Sequence, residues 1–158
     1  MSHIVLGVAW IAVAGVALAD DPKAEAREAQ LHRSEPLEQR QSMIEQLPGP
    51  AAGYVRATNG RNPAGFIALF ADDAVVDDAG RIIRGREAIR EWAASDIFAA
   101  NVTLDLLDSS GDETDVTITA KVDGTFDRTG LPDPLIMTFQ LVIVDGEITR
   151  LTCRLAER

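Results

Sequence analysis

The sequence predicts an α+β fold, with three helices packed in the concave face of a strongly curved, mostly antiparallel sheet, a cone-like α+β barrel. Two observations carry that expectation. Apolar residues recur at helical spacing up to about residue 94, and from Val102 onward they recur at every second position. The helical and extended segments are also segregated along the chain, as in α+β proteins.

The chain has 158 residues, the length of one domain. Ile4 to Leu18 is an uncharged apolar run ending Ala17-Leu18-Ala19, with Asp20-Asp21-Pro22 after it. The run is shorter than the ~20 residues that span a bilayer and suits a signal peptide, although Met1-Ser2-His3 supplies no Lys or Arg. Residues 1–19 are therefore expected to be a signal peptide, cleaved or retained as an anchor, and the protein to be periplasmic or secreted. Its contact with a membrane would be transient. Residues 20–47, rich in Ala, Glu, Gln and Arg, read as a partly helical linker, with Leu37, Ile44 and Leu47 able to dock a short helix.

The pocket domain is expected over 48–158. Pro50 opens a helix that lines up Ala51, Tyr54, Val55 and Thr58. Asn62-Pro63 is an N-cap followed by proline at the first helical position, and the helix it starts is expected to run to Phe70. A small hairpin follows, Ala74–Asp77 and Arg81–Arg84, around a turn at Asp78-Ala79-Gly80. The third helix, Arg86 to about Ala94, buries Ile89, Trp92 and Ala93. Val102, Leu104 and Leu106 then alternate, and Ser109–Asp112 is expected to turn the chain. Val116, Ile118, Ala120 and Val122 define one face of the next strand. Leu135–Val144 is apolar on both faces, as for a central strand covered twice. Asp145-Gly146 marks a tight hairpin into Ile148–Leu155.

Charge and composition exclude several chemistries. The formal charge of −10 disfavours phosphate backbones, so no nucleic acid partner is expected. One cysteine, Cys153, permits no intramolecular disulfide. Both histidines, His3 and His32, precede the folded region, so a histidine-dependent nucleophile or metal site is excluded there. The carboxylates Asp108, Asp112, Glu113 and Asp115 lack calcium-loop spacing. Neither metal nor cofactor is implied, and acid–base chemistry would fall to Asp, Glu, Tyr54 or Lys121.

Short helices leave a hollow against long, twisted strands. Tyr54, Phe66, Phe70 and Trp92 gather before the sheet, and Phe70, Trp92, Met137 and Phe139 are the expected ligand-binding residues. Arg81, Arg84, Arg86 and Arg90 could grip an anionic ligand or pair with surface carboxylates.

The strings Tyr54–Gly60, Phe66–Val76 and Arg84–Trp92 resemble the SnoaL-like branch of the nuclear transport factor 2-like superfamily, and the resemblance covers residues 48–158. The superfamily hosts isomerases, cyclases, dehydratases and binding domains, so it implies a fold more than a function. Its ketosteroid isomerases carry a helix tyrosine that donates to an enolate oxygen and an aspartate base, and Tyr54 and Asp78 match those positions. A second, protonated aspartate completes that oxyanion hole in the example known for such acids; here the corresponding place falls near Phe139, which is no acid. Three readings follow: a module binding a small apolar molecule, a cofactor-free proton-transfer enzyme (isomerase, cyclase or dehydratase) using Asp78 and Tyr54, or a protein-interaction module whose sheet face pairs with itself, as a homodimer, or with another protein.

Overall fold

Asn62 caps its helix as its residue type dictates: the side chain accepts a hydrogen bond from Gly65 N–H at 2.9 Å, with Pro63 behind it. The computed structural model describes residues 36–157 and, before them, Lys23 alone. The expected signal peptide (1–19) and the first part of the linker lie outside the described residues. Residues 36–45 are helical (α1). Met43 and Ile44 rest on the core, and Arg40 Nε lies 2.8 Å from Asp105 of the sheet. The compact unit to which this helix belongs spans Pro36–Arg158. Leu47 is buried as its docking role requires, whereas Leu37 stays exposed.

Helix α2 spans Gly49–Asn59 and α3 Pro63–Ile67. The expectation that α3 runs to Phe70 is corrected, because Phe70 already opens strand β1 (Phe70–Asp78). Strand β2 is Arg81–Arg84 and helix α4 Arg86–Trp92. Where the third helix was expected to stop, a π-helical turn, Ala93–Phe98, extends it. Strands β3 (Thr103–Gly111), β4 (Asp115–Asp123), β5 (Ile136–Val144) and β6 (Glu147–Leu155) complete the chain. β3 runs through Ser109 and Ser110, so the turn falls later than expected. Gly111 permits it, with φ 106° and the carbonyl of Asp115 only 2.1 Å from where a Cβ would stand.

The six strands form one sheet in the order β2-β1-β6-β5-β4-β3, antiparallel except for the parallel pair β1–β6. Register shifts interrupt β1, β3 and the β5–β6 ladder, and such bulges bend and twist a sheet toward its helices. Asp145 and Gly146 both take positive φ, as the tight β5–β6 turn requires. On the inner face, Val116, Ile118, Ala120 and Val122 are buried as their alternation demands, beside Phe139, Leu141, Leu151 and Cys153. The outer face of β5 is not covered by the described residues, whereas the sequence led us to expect two buried faces. Gln140 and Val144 are exposed because the helices lie on the other side.

The edge strand β3 is fastened to α2 by one side chain. Asn59 Oδ1 accepts from Leu104 N–H at 2.7 Å, and Asn59 Nδ2 donates to the Leu104 carbonyl at 2.9 Å. That pair satisfies an edge residue whose backbone would otherwise be open to another chain.

Candidate functional site

Between the helices and the inner face of β3–β6 lies a cavity of about 660 Å³. Its walls are mostly apolar, with Trp92, Phe126, Met137 and Phe139 among them, and its acids are Asp78 and Asp96. Tyr54, Asp78, Trp92, Met137 and Phe139, five of the residues singled out from the sequence, all line it.

Phe70 does not. It is 0% exposed and stacks under Phe66, ring centroids 5.3 Å apart. Its place at the start of β1, rather than on a helix, turns the ring into the core. It supports the wall without touching the space.

Tyr54 comes from the middle of α2, where the Thr58 hydroxyl donates to its backbone carbonyl at 2.8 Å. The ring is wedged between Phe66 (5.4 Å) and Phe139 (5.9 Å). Only 1% of the residue is exposed, and its hydroxyl has no hydrogen-bond partner among the described residues. The oxygen is not sealed in protein, so its residual opening faces the cavity. Burial pushes the phenol well above its ordinary pKa, and the nearby Cys153 and Asp78 add to that.

Asp78 ends β1, where the chain turns into β2. Its Oδ2 accepts hydrogen bonds from Trp92 Nε1 at 3.1 Å and Arg81 Nη2 at 2.8 Å, while Oδ1 receives none from the described residues. The side chain keeps 27% of its exposure, so one oxygen is fixed and the other stays open to a ligand.

Asp96 was not foreseen. The π-helical turn presents Ser95 and Asp96 to the cavity, as π-turns often do at sites. Burial opposes the Asp96 charge, yet the Ser95 hydroxyl (2.6 Å) and Arg81 hold its carboxyl below the usual range. Arg81 Nη2 therefore joins Asp78 and Asp96, and those two acids keep the guanidinium firmly protonated. Nothing in the composition of Ser95-Asp96 signalled this. Phe126 and Leu131 were also missed, although an isolated apolar residue in the polar segment between β4 and β5 is a signal that could have been used.

Three of the four arginines of the run pair with carboxylates, Arg81 as above, Arg86 with Asp72 at 2.8 Å and Arg90 with Glu87 at 2.7 Å, while Arg84 has no ion pair among the described residues. Among the described residues no three His, Cys, Asp or Glu side chains are grouped to hold a metal ion. The arrangement offers one carboxylate oxygen and one phenol to a shared apolar space, which suits moving a proton on a carbon acid.

The SnoaL-like domain family model matches residues 51–151. Among solved structures, a provisionally named polyketide cyclase from Sinorhizobium meliloti is 31% identical, covering 70% of this chain and 98% of its own, with TM-score 0.63. A ketosteroid isomerase-like fold protein from Catenulispora acidiphila, solved with trimethylamine, is 28% identical over 70% of this chain and 88% of its own, TM-score 0.58. The Δ5-3-ketosteroid isomerase of a Mycobacterium species shares the fold at 22% identity, over 68% of this chain and 90% of its own, TM-score 0.55. A search of curated proteins found no match.

Proposed function

Because the chain belongs to the SnoaL-like domain family, whose fold it shares with polyketide cyclases and ketosteroid isomerases, we propose that its cavity binds a small, largely apolar carbonyl compound and moves a proton on it. Asp78 Oδ1 takes the proton from carbon, and the Tyr54 hydroxyl donates to the oxygen on which charge develops. The observation that carries this reading is the buried Tyr54 hydroxyl with no hydrogen-bond partner among the described residues, in the same space as a carboxylate that those residues hold by one oxygen only. A donor fixed in a largely apolar site, aimed where charge appears, is worth more than one in water. Phe139 supplies no second acid, so the rate is expected to fall short of that of a complete isomerase site.

Hydrogen–deuterium exchange at the α-carbon of 2-tetralone, followed by proton NMR in D₂O, tests the reading. Exchange above the buffer rate is expected from the wild type. Asp78→Asn abolishes it, and Tyr54→Phe lowers it by about 10²–10³-fold. Wild-type exchange at the buffer rate contradicts catalysis and leaves a binding module.

Export to the periplasm or beyond and pairing of two copies through the sheet belong to the same proposal. The uncharged run Ile4–Leu18 supports the first. The outer face of β5, with half-buried Ile136 and Val142 and exposed Val144, supports the second.

A further inference from the structure

The Cys153 thiol takes no part in the chemistry above, yet it stands in the floor of the cavity. On β6 it pairs with Phe139 of β5 on one side and with Asp78 of β1 on the other. It is buried, lines the cavity, and no described residue hydrogen-bonds its sulfur. The second observation is independent of it: the Tyr54 hydroxyl is buried, unpartnered and open to the same space. Buried polar groups are almost always paired, so a phenol left unpaired beside a cavity points to a ligand atom that accepts its hydrogen. The two side chains share one wall of the cavity: the Tyr54 ring lies 5.9 Å from that of Phe139, the residue that faces Cys153 across the strands. Burial first, and then the Asp78 carboxylate, push the thiol well above its ordinary range. At neutral pH it remains S–H, a donor and not a nucleophile.

We propose that the Cys153 thiol is a second hydrogen-bond donor to the ligand, acting beside the Tyr54 hydroxyl on one carbonyl or enolate oxygen. The inference rests on the reading that Tyr54 and Asp78 face a carbonyl ligand, and it specifies the ligand class: an apolar ring or chain presenting one acceptor oxygen to a phenol and a thiol. The donor comes from β6 and stands in for one that Phe139 on β5 cannot provide. A thiol donates weakly to a neutral carbonyl and more strongly as the oxygen gains charge, the differential that lowers a barrier. The thiol keeps its proton, and no bond to sulfur forms.

The test uses 2-naphthol as the oxygen-bearing probe and naphthalene for the apolar walls alone, with the wild type, Cys153→Ala, Cys153→Ser and Tyr54→Phe of the same chain. Thermal unfolding establishes that each variant is folded. Cys153→Ala is expected to weaken 2-naphthol by about three- to tenfold, Cys153→Ser to restore it to within about twofold, and naphthalene to change by less than about twofold throughout. In the unmodified protein the single cysteine gives one S–H stretching band. That band is expected to move to lower frequency with 2-naphthol and to stay with naphthalene. Equal weakening of both probes in the two cysteine variants, or an unmoved band, overturns the proposal. If Tyr54→Phe loses 2-naphthol affinity and Cys153→Ala does not, the thiol role fails while the Tyr54 site stands. If neither variant matters, both fail.

Discussion

Phe66 holds the cavity wall together more than its burial alone implies, and substitution to alanine measures by how much. Phe66 and Phe70 are both 0% exposed, so Phe→Ala removes the same group from the same degree of burial at either place. That loss alone costs about 3–5 kcal/mol. The Phe66 ring additionally meets Tyr54 at 5.4 Å, Phe98 edge-on at 5.5 Å and Trp92 at 6.4 Å, contacts that Phe70 does not make. At the low end of about 0.5 kcal/mol per aromatic pair beyond area, these add about 1.5 kcal/mol. Urea unfolding is the assay. With a slope of about 1–3 kcal/mol/M, the midpoint of Phe66→Ala is expected about 0.5–1.5 M below that of Phe70→Ala. Phe66→Ala is also expected to weaken ligand binding, since Tyr54 and Trp92 lose their common support. Equal midpoints, or a lower one for Phe70→Ala, refute the reasoning.

The Asp77–Arg154 pair joins the parallel strands β1 and β6 through two hydrogen bonds, 3.0 and 2.6 Å, and the Arg154 bond holds the Asp77 carboxyl below its ordinary range. A carboxyl depressed in the folded state contributes stability that is complete above its unfolded value of about 3.9 and is lost as pH falls through the lower folded value. Urea midpoints are therefore expected to fall below about pH 5 and to fall less steeply in Asp77→Asn, with the similarly lowered Asp96, Asp112 and Asp127 leaving a residual slope. Identical slopes contradict the role given to the pair. Gly111→Ala is expected to destabilise by more than about 2 kcal/mol, because a Cβ at φ 106° would meet the Asp115 carbonyl at 2.1 Å. Gly80→Ala, at φ 96° in open space, is expected to lose less, and thermal unfolding of the two variants compares them.

Local chemistry made much of the fold legible. Asn62-Pro63 could hardly be anything but a helix start, the Val116–Val122 alternation specified which face is buried, and Asp145-Gly146 placed the last hairpin. Tyr54 and Asp78 were found through a resemblance and share one cavity. What escaped depended on contacts distant in sequence. Phe70 reads as helical until the parallel pairing of β1 with β6 claims it as a strand residue. Asp96 reaches the cavity because a π-turn shifts its register, and no side-chain pattern over Ala93–Phe98 encodes that shift. Cys153 stands out in the sequence only as a lone cysteine, and its significance arises from Tyr54 lining the same cavity.

The chain has one tyrosine, so a ¹³Cζ label on that ring gives a single resonance from Tyr54. The central claim is that this phenol is buried, protonated, and waiting for an acceptor oxygen in the cavity. Without ligand its resonance is expected to stay constant up to about pH 10, where an exposed phenol is already half ionised, and to shift when 2-naphthol is added to saturation. A resonance that titrates like a free phenol, or that ignores 2-naphthol at saturation, contradicts the account.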